Sequence, residues 1–272
     1  MAYVQAGEVQ LHYEEAGEGE PLVLVHGSWN DHRSWLPAIG AGLGEGFRVI
    51  AYDRRGHGRS EQVPGQGTRR QDEDDLAALI GALGPAPVHV AGNSFGASIV
   101  AGLAARRPEL LRTVFLHEPP LAGLVRDDPA VAPELQPVSS AIEDVRELLL
   151  RGETEAGAEM FVERIALGPG GWTSMPEALR GVFLTHAATW LDETGDPDWA
   201  NLDVDALAAC TAPVLLSHGT ESPAWFEAIL DRLAAVLPHA GRNTFRGAGH
   251  IPHVTHPQDY AATVTRWARK PS

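Results

Sequence analysis

Residues Gly92-Asn93-Ser94-Phe95-Gly96 follow the apolar run Val88-His89-Val90-Ala91 and lead into Ser98, Ile99, Val100 and Ala104, a run that Pro108 ends. The pattern predicts a strand, a sharp turn and a helix. Glycines two places on either side of the serine let the backbone bend without clash and leave the hydroxyl exposed at the top of a sheet. Ser94 is therefore a candidate nucleophile; the plainer reading is a glycine-rich turn without chemistry. A serine hydroxyl is a weak nucleophile at neutral pH. It needs a base within hydrogen-bond reach, and the base needs a group that orients it.

The candidate base lies late in the chain. Gly247-Ala248-Gly249-His250-Ile251-Pro252-His253 follows the strand-like run Arg242-Asn243-Thr244-Phe245, and glycines around Ala248 suit a tight loop carrying His250 over a sheet edge. His253 and His256 read as loop or helix-facing histidines. Their spacing with His250 matches no zinc signature, and no Cys or Asp/Glu cluster completes one, so no metal is expected there. A third segment, Leu24-Val25-His26-Gly27-Ser28-Trp29, runs from an apolar strand into a loop. The backbone N–H groups of Ser28 and Phe95 are the expected oxyanion donors, because the tetrahedral intermediate of acyl transfer places new negative charge on oxygen. His26 is expected to bond loop backbone.

With His26-Gly27, Tyr52-Asp53-Arg54-Arg55-Gly56-His57-Gly58-Arg59-Ser60, Gly92-Asn93-Ser94-Phe95-Gly96 and Gly249-His250 in this order, the chain resembles the α/β-hydrolases, of the small cap-bearing, esterase- and C–C-hydrolase-like kind. The resemblance covers nearly the whole length. It implies a mostly parallel eight-stranded sheet with helices on both faces, a chain order of serine, acid and histidine, and no cofactor. It also exposes a departure. Family members usually carry an Asp after the strand that here reads Pro213-Val214-Leu215-Leu216-Ser217-His218-Gly219, and that place holds Ser222, next to Glu221. Some relatives carry the acid after the preceding strand, which here ends Leu116-His117-Glu118. Glu118 is the expected acid and Glu221 the alternative, since a strand tip holds a side chain more rigidly than a loop. If neither reaches His250, a serine–histidine dyad remains.

At 272 residues with 44% hydrophobic composition, the chain can build one large α/β unit with an insertion. The net charge of −15 argues against nucleic acid and anionic membrane surfaces as partners. The run Gln71-Asp72-Glu73-Asp74-Asp75 reads as a solvated helix start. One cysteine, Cys210, allows no internal disulfide; with Met1-Ala2-Tyr3-Val4 lacking the features of a signal peptide and no apolar run long enough to span a bilayer, a cytoplasmic location is expected. The oligomeric state is not legible.

Strands are expected near residues 4–6, 9–13, 22–25, 48–52, 88–91, 114–116, 214–217 and 242–245, and a last helix from Gln258 to Lys270. The alternation stops between Glu118 and Pro213, where Ile142–Leu150, Glu155–Ala166 and Met175–Trp190 look helical. Residues 1–118 and 205–272 are thus expected to form the hydrolase core, and 119–204 a helical cap. Most cap aromatics should pack the cap itself, while Trp29, His186 and Trp190, with Phe95, are expected to meet a hydrophobic small-molecule substrate. The expected activity is hydrolysis of an ester or lactone through an acyl-enzyme. The alternatives are C–C bond hydrolysis of a ketone-type substrate and, from another class, a non-catalytic small-molecule receptor. Dehalogenase and epoxide-hydrolase chemistry is disfavoured, because relatives that perform it carry Asp where this chain has Ser94.

Overall fold

The computed structural model describes residues 2–62, 67–84, 86–237 and 239–269; Lys270, the expected end of the last helix, lies outside them. Eight strands, β1 (Ala2–Ala6), β2 (Val9–Ala16), β3 (Glu20–Val25), β4 (Phe47–Tyr52), β5 (Val88–Asn93), β6 (Leu111–His117), β7 (Val214–Gly219) and β8 (Gly241–Phe245), form one sheet in the order β1-β2-β4-β3-β5-β6-β7-β8. The pairs β1·β2 and β2·β4 are antiparallel and the other five are parallel. Strands covered on both faces are mostly apolar, and all six residues of β5 are buried, with its polar His89 and Asn93 hydrogen-bonded.

The helices of eight or more residues are α1 (Arg69–Leu83), α2 (Phe95–Arg106), α3 (Ala132–Leu150), α4 (Thr154–Phe161), α5 (Glu177–Thr185), α6 (Ala187–Gly195), α7 (Ala224–Val236) and α8 (Pro257–Ala268). Two clusters of buried apolar residues cover the sheet, one reaching α1, α2 and α7 and the other α8. The stretch expected to be helical over Met175–Trp190 is two helices. They meet at His186, whose backbone leaves the helical region (φ −101°, ψ 9°) and whose Nε2 accepts the Gly58 N–H at 3.1 Å. Helices α3 to α6 form a layer with a separate aromatic core that includes Trp172 and Trp190. Among the described residues no helix is long and apolar enough to cross a membrane.

The acidic start of α1 is not the solvated face expected from its charge. Thr68 and Gln71 cap the helix reciprocally, but Asp72, Glu73 and Asp75 are buried. Arg54 and Arg55, which follow β4, turn inward and require anions: Arg54 Nε donates to Asp72 at 3.3 Å and Arg55 Nε to Asp75 at 2.6 Å. Glu73 takes hydrogen bonds from Arg69 and Arg106, each at 2.7 Å. A buried guanidinium without these partners would carry a large desolvation cost.

Candidate active site

β5 delivers Ser94 to the C-terminal edge of the sheet, where its φ of 56° and ψ of −129° place a non-glycine residue in a strained conformation. The strain is held from several sides. The Ser94 N–H donates to the His117 carbonyl at 2.9 Å, and the first turn of α2 closes on the Ser94 carbonyl. A Cβ on Gly92 would meet the Gly96 carbonyl oxygen at 2.6 Å, and one on Gly96 would collide with the Val25 and His26 carbonyls. Both glycines flanking the serine are thus required by close backbone approach. Trp29 (φ 59°) and Glu118 (φ 45°) are the other described non-glycine residues with positive φ, and both lie in segments that build this same end of the sheet.

Glu118 stands one residue beyond β6, between the tips of β5 and β7. Its Oε2 lies 2.6 Å from His250 Nδ1, and its Oε1 accepts the Gly219 N–H at 2.8 Å. Burial alone would push its carboxyl up. The His250 hydrogen bond, with the neighbouring His117, prevails and brings it down to about 2. Ser222, where the resemblance leads one to expect Asp, buries its hydroxyl without a hydrogen-bond partner among the described residues and has no carboxylate to offer His250. Glu221 is exposed and accepts from the Thr220 hydroxyl at 3.3 Å. His250 is further fixed by Asn93, whose side-chain amide donates to the His250 carbonyl at 2.8 Å, and by Phe226, whose ring stacks on the imidazole at 5.1 Å. With Nδ1 on the carboxylate, the remaining ring nitrogen is Nε2. Ser94 and His250 line one cavity of about 720 Å³. No hydrogen bond joins them among the described residues, a looseness common in sites without substrate.

Ser28 and Phe95 line the same cavity. Phe95 is the first residue of α2, where helix geometry leaves the N–H without an intrahelical acceptor. His26 behaves as a loop strut: Nδ1 donates to the Gly27 carbonyl at 2.8 Å and Nε2 accepts the Arg54 N–H at 3.1 Å. Burial and then the Arg54 charge hold it neutral, down at about 3. Elsewhere the lining is largely apolar, with Ile142, Phe161, Phe183, Trp190, Trp199 and Trp225.

Two expected substrate contacts are corrected by their packing. Trp29 is fully buried and lies outside the lining: its indole packs against Phe161, Phe183 and Trp190 at 5.0 to 5.8 Å, so it joins the aromatic core of the helical layer. His186 is buried against His57, with ring centroids 5.0 Å apart, and holds Gly58; it borders a neighbouring cleft. Trp190 does line the cavity. His253 is buried against Trp35 at 4.4 Å, away from the lining.

Glu193 on α6 was not foreseen from the sequence. It lines the cavity, accepts from the Ser28 hydroxyl at 2.5 Å and pairs with Arg54. Arg54 thus serves two fully buried carboxylates, Asp72 and Glu193, with one positive charge. Burial, opposed by Arg54 and Ser28, pushes Glu193 up to about 7. An unfolded glutamate titrates near 4.5. Between these values the folded chain keeps a proton that the unfolded chain releases, so Glu193 subtracts stability as pH rises through this window, and the cost is complete above it. Glu193→Gln keeps the shape without the charge. It should gain on the natural chain between pH 5 and pH 8, read as the gap between urea midpoints; an unchanged gap would place the proton elsewhere in the cluster.

The match to a family model, described as the alpha/beta hydrolase family, spans residues 22–263. The chain belongs to that family. A pimeloyl-[acyl-carrier protein] methyl ester esterase from Chromobacterium violaceum is 30% identical over 94% of this chain and 97% of its own. Among solved structures, an alpha/beta hydrolase from Sphaerobacter thermophilus is 26% identical with a TM-score of 0.78, covering 98% of this chain and 99% of that one. A thermophilic esterase from Thermogutta terrifontis is 25% identical with a TM-score of 0.75, covering 98% of this chain and 95% of that one. Hydrolase-named relatives over almost the full length make this α/β-hydrolase a hydrolase.

Proposed function

We propose that this α/β-hydrolase cleaves an ester or lactone of a hydrophobic small molecule through an acyl-enzyme on Ser94. The observation that carries the reading is the 2.6 Å contact between Glu118 and His250 Nδ1 beside the strained Ser94 turn. His250 takes the Ser94 proton through Nε2 as the hydroxyl attacks the carbonyl carbon. Glu118 holds the ring in the tautomer that leaves Nε2 free to accept, and it balances the imidazolium that forms. The N–H groups of Ser28 and Phe95 receive the oxyanion. The tetrahedral intermediate collapses as His250 gives the proton to the leaving alkoxide, and water attacks the acyl-enzyme by the same route in reverse. The helical layer serves as a cap that supplies apolar lining and limits water.

An apolar cavity should reward acyl length. Burying one CH₂ is worth about 0.8 kcal/mol, or roughly a fourfold gain in kcat/KM per methylene if the gain is realised in the transition state. A series of p-nitrophenyl esters of rising acyl length should show that climb until the cavity is filled. A flat series would remove the hydrophobic-acyl reading. No turnover and no labelling by a fluorophosphonate would favour a receptor.

A further inference from the structure

Glu193 is a buried carboxylate of the helical layer that the hydrolytic steps leave unused, and it reaches both segments that carry the expected oxyanion donors. It lies on α6, fully buried, and lines the cavity together with Trp190 and Thr194 of the same helix. Its Oε2 accepts from the Ser28 hydroxyl at 2.5 Å, and its Oε1 accepts from Arg54 Nη2. Arg54 in turn lies over the Phe95 ring, with Cζ 4.9 Å from the centroid. The Arg54 backbone N–H donates at 3.1 Å to the imidazole of His26, just ahead of Gly27-Ser28. One carboxylate therefore braces Ser28 directly and Phe95 through a guanidinium. The Ser28 segment needs such a brace. Gly27 has no side chain of its own to pack, because a Cβ there would come within 2.9 Å of the Ser94 Cβ. Helix α6 is a firm base for the brace: the Thr189 hydroxyl donates to the Gly56 carbonyl at 2.9 Å, and Asp196, the residue after the helix, accepts the Arg69 N–H at 2.9 Å.

We propose, on the ester- or lactone-hydrolase reading above, that Glu193 is a positioning residue for the oxyanion donors, setting the aim of the Ser28 and Phe95 N–H groups before the substrate carbonyl arrives. Such donors act only when they lie about 2.7–3.1 Å from the place where the oxyanion forms. A Ser28 side chain pinned to a carboxylate fixes its own Cα, and with it the peptide that bears the N–H. With its hydroxyl spent on Glu193, Ser28 has its N–H left to offer the oxyanion. The negative charge of the carboxylate is answered by Arg54, which also faces Asp72. His57 Nε2 lies 3.8 Å from Glu193 Oε1, but burial and then the Arg54 charge push the imidazole well below its usual range, so it stays neutral and adds no counter-charge. An acyl group seated against Trp190 and Thr194 rests on the same helix that aims the donors. Glu193→Gln can preserve the brace without charge: its carbonyl oxygen accepts from Arg54 while its amide N–H donates to the Ser28 oxygen. Glu193→Ala cannot.

The test is steady-state turnover of a p-nitrophenyl ester by the full-length natural chain, by Glu193→Ala, Glu193→Gln and Ser28→Ala, and by the Glu193→Ala/Ser28→Ala double variant, each checked for fold by circular dichroism. Glu193→Ala should lower kcat by about 10- to 10²-fold, the scale of a small misplacement of catalytic groups, with KM within about threefold of the natural value. Arg54 keeps Asp72 in this variant, so its charge stays paired. Glu193→Gln should recover most of the lost kcat. Because Glu193 acts partly through the Ser28 hydroxyl, the double variant should lose less than the product of the two single losses. Should Glu193→Ala fail to fold, Ser28→Ala carries the test: it cuts the same bond from the other side, keeps the N–H, and must lower kcat by about tenfold without raising KM. A loss expressed in KM alone, a Glu193→Gln as impaired as Glu193→Ala, or single losses that simply multiply overturn the role and leave Glu193 as a structural counter-ion of Arg54. A natural chain that neither turns over esters nor takes a fluorophosphonate ends the ester-hydrolase reading itself, and this role falls with it.

Discussion

Ser94→Ala should lower ester hydrolysis by about 10⁴-fold or more, with fluorophosphonate labelling abolished and the fold kept. The size of the loss follows from what the hydroxyl does: without it no acyl-enzyme forms, and His250 and the oxyanion donors are left to act on water alone. The fold should survive because Ser94 holds its place through backbone, by its N–H on the His117 carbonyl and its carbonyl at the start of α2. Alanine keeps both bonds. It also keeps the Cβ and the same strained backbone conformation, which the surrounding backbone already holds, so no new strain is added. The readouts are turnover of a chromogenic ester, mass of the probe adduct, and circular dichroism. An active, still-labelled Ser94→Ala would move the nucleophile elsewhere and end the reading.

The sequence made some parts of this molecule legible because they are local. The strand–turn–helix around Ser94 needs only the glycine spacing and the apolar runs on either side, and all eight strands formed where short apolar or alternating runs lay between turn residues. The His26 strut was also local, since its ring bonds the very next carbonyl. Other parts depend on contacts between distant residues. The acids of α1 looked solvated because nothing near them in sequence shows that Arg54 and Arg55 turn inward. Glu193 meets Ser28 across 165 residues, and its neighbours Asp192 and Thr194 give no hint of burial. Trp29 was expected beside the substrate because it adjoins Ser28, but its backbone twists to φ 59° and sends the indole into the layer above. Asn93 could have been found: a polar side chain directly before the nucleophile, at the buried end of β5, must hydrogen-bond to something, and the nearest loop is that of His250.

Glu118→Gln should lower kcat by about 10²- to 10⁴-fold, while Glu221→Gln stays near the natural rate. The two residues differ in what they touch. Glu118 is fully buried, with one oxygen on His250 Nδ1 and the other on the Gly219 N–H; Glu221 is exposed and meets Thr220. Glutamine at 118 keeps the volume and can keep the Gly219 bond through its carbonyl oxygen. Its amide nitrogen then faces Nδ1 as a donor, which forces the imidazole into the tautomer with its proton on Nε2, the atom that must accept from Ser94. The imidazolium formed during attack also loses its counter-charge in a buried setting, where an uncompensated charge is costly. Both effects act on the chemical step, so kcat should fall with little change in KM, and fluorophosphonate labelling should slow in parallel. The carboxyl is held down at about 2, so over the working pH range it stays ionised and its contribution to stability is lost only as pH falls from about 4.5 toward 2. Comparable losses in both variants would deny Glu118 a special role. Full activity in Glu118→Gln beside an inactive Glu221→Gln would hand the acid to the loop, and full activity in both would leave Ser94 and His250 working as a pair.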